Sequence, residues 1–217
     1  MTEAFGQVAG ANAEAAPVDV FDIAAYFARQ DGLQGEPDVT PMKLQKLLYL
    51  AQAHYLAATM RRLFDERIEA YEHGPVITKV WSRTAGQRTP IVAEGKLDIV
   101  EHTPLPPTIE EFLDRVWSRY KDLSASALRR LTHEQDPWRN NYVEGRLHSV
   151  IPDPDIIRYF GTKLPLNKRI FPLLPDPETG QVENRPAQFG RDRREAVTVA
   201  DRDEPRCYKV LAPTVVE

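Results

Sequence analysis

The densest run of reactive side chains is Thr132-His133-Glu134-Gln135-Asp136-Pro137-Trp138, which sets one imidazole beside two carboxylates. Those residue types can move protons or hold a metal. Their setting reads instead as a helix end, with Pro137 stopping the run and Trp138 packing back. The other histidines, His54, His73, His102 and His148, fall at no separation of three or four that pairs two ligands on one helical face. Cys207 is the single cysteine, so no internal disulfide forms, and its place in a weakly patterned tail favours an ordinary thiol over a nucleophile. The sequence has no phosphate-binding glycine loop, no paired-cysteine metal motif and no nucleophile elbow. The expectation is a chain without catalytic residues, metal or cofactor.

Two further features could recognise a partner. In His73-Gly74-Pro75, Gly74 permits backbone angles closed to other residues and Pro75 presets a helical first turn. Free N–H groups at such a start can hold an anion. Punctuation is the simpler reading. Lys43, Gln45, Lys46 and Gln52, on one helix, could also serve a helix-turn-helix. The preceding loop, Asp31–Val39, is too long and too acidic for that motif's tight turn.

These residues need elements to position them. A first helix is expected from Val20 to Gln30, with Asp19 as its cap. Thr40 caps a second, and Pro41 takes the first helical position. Leu44, Leu47, Leu48, Ala51, Tyr55 and Ala58 form its apolar stripe, which leaves Lys43 and Lys46 on the other face. A third helix is expected after Gly74-Pro75 through Val76, Ile77, Val80 and Trp81. Gly95-Lys96 divides Ile91–Val100 into a small hairpin. A fourth helix opens with the capping box Thr108-x-x-Glu111, Ser124 caps a fifth, and Asp153-Pro154 starts a sixth. The fold class is mainly α, a helical domain of about six helices with one small hairpin. Beyond Gly161, Ile170-Phe171, Val197–Val199 and Tyr208–Leu211 read as short strands.

The division into domains follows composition. Residues 1–17 are Ala/Gly-rich and read as a flexible arm, 18–160 as the helical domain, and 161–217 as a Pro-rich extension; nine of the 18 prolines fall from Pro152 to Pro213. The chain of 217 residues is 42% apolar and 28% charged, as expected of a globular protein. The 28 basic and 32 acidic side chains give a net charge of −4, and residues 1–40 alone carry seven acidic and one basic. That balance counts against nucleic acid as a partner. No apolar run reaches the roughly 20 residues of a membrane span, and the start lacks a signal-peptide pattern, so the expected location is cytoplasmic.

The string Thr40-Pro41-Met42-Lys43-Leu44-Gln45-Lys46-Leu47-Leu48-Tyr49-Leu50-Ala51-Gln52 resembles the signature helix of the Panacea (SocA-like) antitoxin domain. Leu63-Phe64, Ile68-Glu69-Ala70-Tyr71 and His73-Gly74-Pro75-Val76 are similar to the pieces that follow it. Leu131-Thr132-His133 through Pro137-Trp138 is similar to its late helix–loop motif. The resemblance spans about residues 20–160. It implies a small, mostly helical antitoxin, often of prophage or other mobile elements, that neutralises a cognate protein toxin by direct contact. It carries over no enzymatic activity, and leaves open steric inhibition or delivery to a protease. Met60-Arg61-Arg62 departs from the pattern, because relatives place Gly first and often Pro third, so the helix must end on a non-Gly residue or another cap. The motif residues read mainly as architecture. Partner choice then falls to exposed side chains of the core or to the extension, where Ile170, Phe171, Leu173 and Leu174 could act as anchors.

Overall fold

The computed structural model describes residues 17–94, 103–146 and 148–172. The chain divides into two units, Met1–Glu183 and Asn184–Glu217, and all described residues belong to the first.

Helix α1, Val20–Gly32, opens where Asp19 accepts the N–H of Phe21. Helix α2, Pro41–Thr59, opens where Thr40 Oγ1 accepts the N–H of Lys43, with Pro41 in the first turn. Both starts are as the caps predict. Fourteen of the 19 residues of α2 are buried, so it is a central helix rather than an amphipathic surface one. It ends at Met60, whose φ of 59° is left-handed and whose N–H returns to Leu56 O. The helix thus ends on a left-handed non-Gly residue, a conformation Met adopts at a cost.

The small sheet lies at Glu69–Tyr71 (β1) and Gly74–Val76 (β2), antiparallel, with Ala70 opposite Pro75 and Tyr71 opposite Gly74. The expected helix start at Gly74-Pro75 is therefore corrected. Gly74 has a φ of 101°, a turn conformation, and the helix begins only at Thr78 (α3, Thr78–Thr84). Ala70 also donates to Ser149 O, and Ile151 to Ile68 O, so a distant loop continues the pairing. The hairpin expected over Ile91–Val100 is corrected in its described part: Ile91–Glu94 is one helical turn (α4), and 95–100 lie outside the described residues.

Helix α5, Pro107–Tyr120, begins one residue before the expected capping box, with Pro106 at the cap and no side-chain capping bond. Pro107 supplies the preset φ, so the Thr108 hydroxyl falls inside the helix, where it cannot cap. Ser124 caps α6, Ala125–His133, as expected. Asp136–Arg139 (α7) and Asp153–Arg158 (α8) are short. After α8, Tyr159–Lys163 form a wide turn in which Leu164 N–H reaches Tyr159 O. Ile170-Phe171 is not a strand. Val197–Val199 and Tyr208–Leu211 lie outside the described residues.

The core is one cluster built around α2, which packs against α1, α3, α5, α6 and α8. Phe27, Leu44, Leu47, Leu48, Tyr49 and Phe112 are sealed from solvent within it. No described helix is long and apolar enough to cross a membrane.

Candidate functional site

The polar residues of α2 do not face water. Lys43 and Lys46, expected on the solvent side, are at most 1% exposed, as are Gln45 and Gln52. Each is held because its polar end meets the backbone of a neighbouring segment. Lys43 Nζ donates to Asp38 Oδ1 (2.6 Å) and Lys121 O (2.5 Å). Gln52 Oε1 accepts from Leu63 and Phe64 N–H while its Nε2 donates to Phe64 O. Gln45 Oε1 accepts from Ile77 N–H at 2.7 Å. These four side chains are enclosed rather than laid along an open helix face, which is what helix-turn-helix readout of a DNA groove uses.

Lys46 is where three separate parts of the chain converge. Its Nζ donates to Pro75 O at 2.9 Å. A Cβ at Gly74 would lie 2.8 Å from Lys46 Nζ, 2.9 Å from Cε and 3.0 Å from Thr132 Oγ1. Gly74 is thus required twice, by its φ and by the passage of the lysine against its backbone. Burial, with the Arg129 guanidinium adding repulsion, pulls the Lys46 ammonium down to about 7. Tyr49, also on α2, donates its hydroxyl to Gln135 Oε1 at 3.0 Å, and Trp138 Nε1 donates to Tyr71 O at 2.8 Å. Helix α2, the hairpin and the α6–α7 corner are stitched together by these bonds.

The imidazole–carboxylate run does not assemble into one centre. His133 stacks on Trp138 (3.8 Å between ring centres, 11° between planes), and Trp138 stacks on Tyr142. Burial first, then the Arg129 and Lys46 charges, hold His133 down to about 4, so it stays neutral. Glu134 points to solvent, and Asp136 bonds Lys163. Among the described residues, no group of three or more His, Cys, Asp or Glu could hold a metal ion. Glu69 is buried, with Oε2 3.0 Å from His148 Nδ1.

Beside Lys46 opens a cleft of about 520 Å³, within the usual range for a ligand or anchor pocket. Thr40, Pro41, Met42, Gln45 and Lys46 form one wall, the hairpin turn Tyr71–His73 with Val76 a second, and Trp81, Gln87 and Arg88 a third. Trp81 is 43% exposed, and Glu72, His73 and Arg88 stand at the rim. Two buried amide atoms of the lining residues, Gln45 Nε2 and Gln87 Oε1, have no hydrogen-bond partner.

Residues 44–139 match the family model described as Antitoxin SocA-like, Panacea domain. Over this segment the chain is similar to that family. No curated protein and no solved structure matches the chain.

The motif residues that carry the similarity now have physical roles. Leu44 and Leu47 are core, Lys46, Gly74, Pro75 and Thr132 make the central junction, and Pro137 and Trp138 close the α6–α7 corner. The spacing showed which residues share a helix. It did not show that polar residues of α2 are buried, because their acceptors are backbone carbonyls from distant segments, which no residue type announces. His54 was missed for the same reason. It is 2% exposed, with Nε2 2.8 Å from Tyr120 Oη, while Nδ1 accepts the N–H of Ile170. Ile170 is therefore placed in the core, whereas Phe171 is half-buried and Leu173 and Leu174 lie outside the described residues.

Proposed function

We propose that this chain is the antitoxin of a toxin–antitoxin pair and neutralises a cognate protein toxin by direct protein–protein contact. The observation that carries the reading is the match of residues 44–139 to the Panacea family model, whose name describes an antitoxin. The packing agrees with it. Chemistry-bearing side chains are spent on holding elements together, whereas Trp81, Val143, Val150 and Leu166 remain exposed as apolar contacts.

The test is co-expression with the small reading frame beside this gene. That frame alone should arrest growth, growth should return when this chain is present, and the two products should co-purify. Arrest unaffected by this chain would reject the reading. Toxin levels that fall only in the presence of this chain would point to delivery to a protease. Steady levels with a stable complex would point to occlusion.

A further inference from the structure

The cleft beside Lys46 has a specific chemical bias. Gln45 and Gln87 are oriented unambiguously, because each uses one amide atom on the backbone. Gln45 Oε1 takes the Ile77 N–H, so the unpartnered atom is a donor, Nε2. Gln87 Nε2 donates to Pro90 O, so the unpartnered atom is an acceptor, Oε1. Both atoms are buried, and a buried unmade bond is costly. Lys46 adds further donor capacity: an ammonium has three protons, and the described acceptor is Pro75 O alone.

The surrounding charge points the same way. Behind Lys46 on α6 stand Arg129, whose Nε is buried without a partner, and His133, whose Nε2 is likewise. Among the described residues no hydrogen bond or ion pair joins Lys46, Arg129 or His133 to a carboxylate. At the rim, His73 from the hairpin turn and Arg88 from the loop after α3 face one carboxylate, Glu72. Pro41, Met42, Val76 and Trp81 give the cleft an apolar side.

We propose that the cleft seats a carboxylate of the protein partner, an Asp or Glu flanked by an apolar side chain. Gln45 Nε2 and Lys46 Nζ are its donors, and Trp81 packs on the apolar neighbour. Gln87 Oε1 accepts an N–H from the same segment. The inference rests on the antitoxin reading and names the chemistry of the toxin segment that is bound. Reaching the sealed donors requires the lining to part, and the unbranched Met42 is the side chain there that repacks most readily. A carboxylate arriving there meets the Lys46 ammonium, with the half-buried Arg129 guanidinium behind it, and gains a charge-assisted bond to a positive group that no carboxylate faces in the unbound chain's described residues.

The experiment uses the full chain and three probes followed by NMR: the capped dipeptide Ac-Leu-Glu-NH2, its neutral counterpart Ac-Leu-Gln-NH2, and inorganic phosphate. The Glu peptide should bind saturably, about tenfold tighter or more than the Gln peptide, with shifts at Gln45, Lys46 and Trp81. Gln45→Glu keeps an oxygen for the Ile77 N–H but replaces the free donor with a carboxylate. It should retain the melting temperature and weaken the Glu peptide about tenfold or more. Trp81→Ser, at a half-exposed position, should weaken both peptides. Equal affinity for the two peptides, or no saturable binding up to on the order of 10 mM, would overturn the proposal. Phosphate binding without a peptide response would also overturn it and assign the cleft to a phosphate ligand. In co-expression, a Gln45→Glu chain that neutralises as well as the parent would sink this inference and leave the antitoxin reading standing. Failure of the parent chain itself sinks the reading first.

Discussion

At the scale of single residues, the chain keeps polar groups in its interior by holding them neutral or by bonding them to backbone. His54 shows the consequence. Its burial, with Arg119 adding repulsion, depresses its pKa from 6.5 to about 3, and its Nδ1 lone pair accepts the Ile170 N–H. The unfolded chain therefore binds more protons than the folded one between those values. Stability is fully present above pH 6.5 and falls as pH drops through that window, by at most about 1.4 kcal/mol per pH unit for this group. His133, lowered to about 4, acts in the same direction. Urea titrations from pH 7 to pH 4 should show this loss, and His54→Gln should flatten the slope; an unchanged slope would contradict it. Gly74→Ala tests the junction. Lys46 Nζ cannot simply swing away from the new methyl, because it is enclosed and bonded to Pro75 O. With the positive φ, the substitution should destabilise by roughly 1–3 kcal/mol or more in thermal or chemical unfolding.

Elements are ordered by one helix, α2, and by how it begins and ends. Thr40 and Pro41 start it, and both signals are local, so the start was legible in sequence. Its end rests on Met60 in a left-handed conformation, 66% exposed. Met60→Gly should raise stability by about 0.5–1 kcal/mol, since relief of the left-handed strain exceeds the added entropy of the unfolded glycine. A lower melting temperature would show that the Met side chain contributes more than its conformation costs. Leu48 is sealed in the core, so Leu48→Ala should cost roughly 2–5 kcal/mol through the cavity it leaves. A melt unchanged by that substitution would remove α2 from the centre of the fold. The sheet was misplaced by sequence reasoning for an identifiable reason. Gly-Pro followed by Val-Ile satisfies the rules for a helix start as well as those for a turn, and only pairing of Gly74 with Tyr71 decides between them.

For the molecule as a whole, the segment after Gly161 is the part whose role sequence left most open. In its described portion it lies against the helices: Ile170 N–H on His54, Arg115 Nη1 on Phe171 O and Arg119 Nη2 on Asn167 O. A chain cut after Gly161 should therefore lose several degrees of melting temperature, because His54 Nδ1 and the core beside it lose Ile170, which covers them. A chain cut after Pro172 should keep it. Equal melts for both would show that these contacts are not stabilising, and neutralisation by each would locate the toxin contact. By itself the sequence determined the mainly helical class, the family motifs and the capped starts of α1, α2 and α6. Those signals lie within a turn or two of chain, where apolar spacing and capping side chains act directly. Tertiary structure alone decided the burial of Lys43, Gln45, Lys46, Gln52 and His54 and the cleft beside Lys46. A polar side chain on a helix can be exposed or enclosed, and what decides is whether distant backbone arrives to bond it: Pro75 O for Lys46, Phe64 O for Gln52, Ile170 N–H for His54.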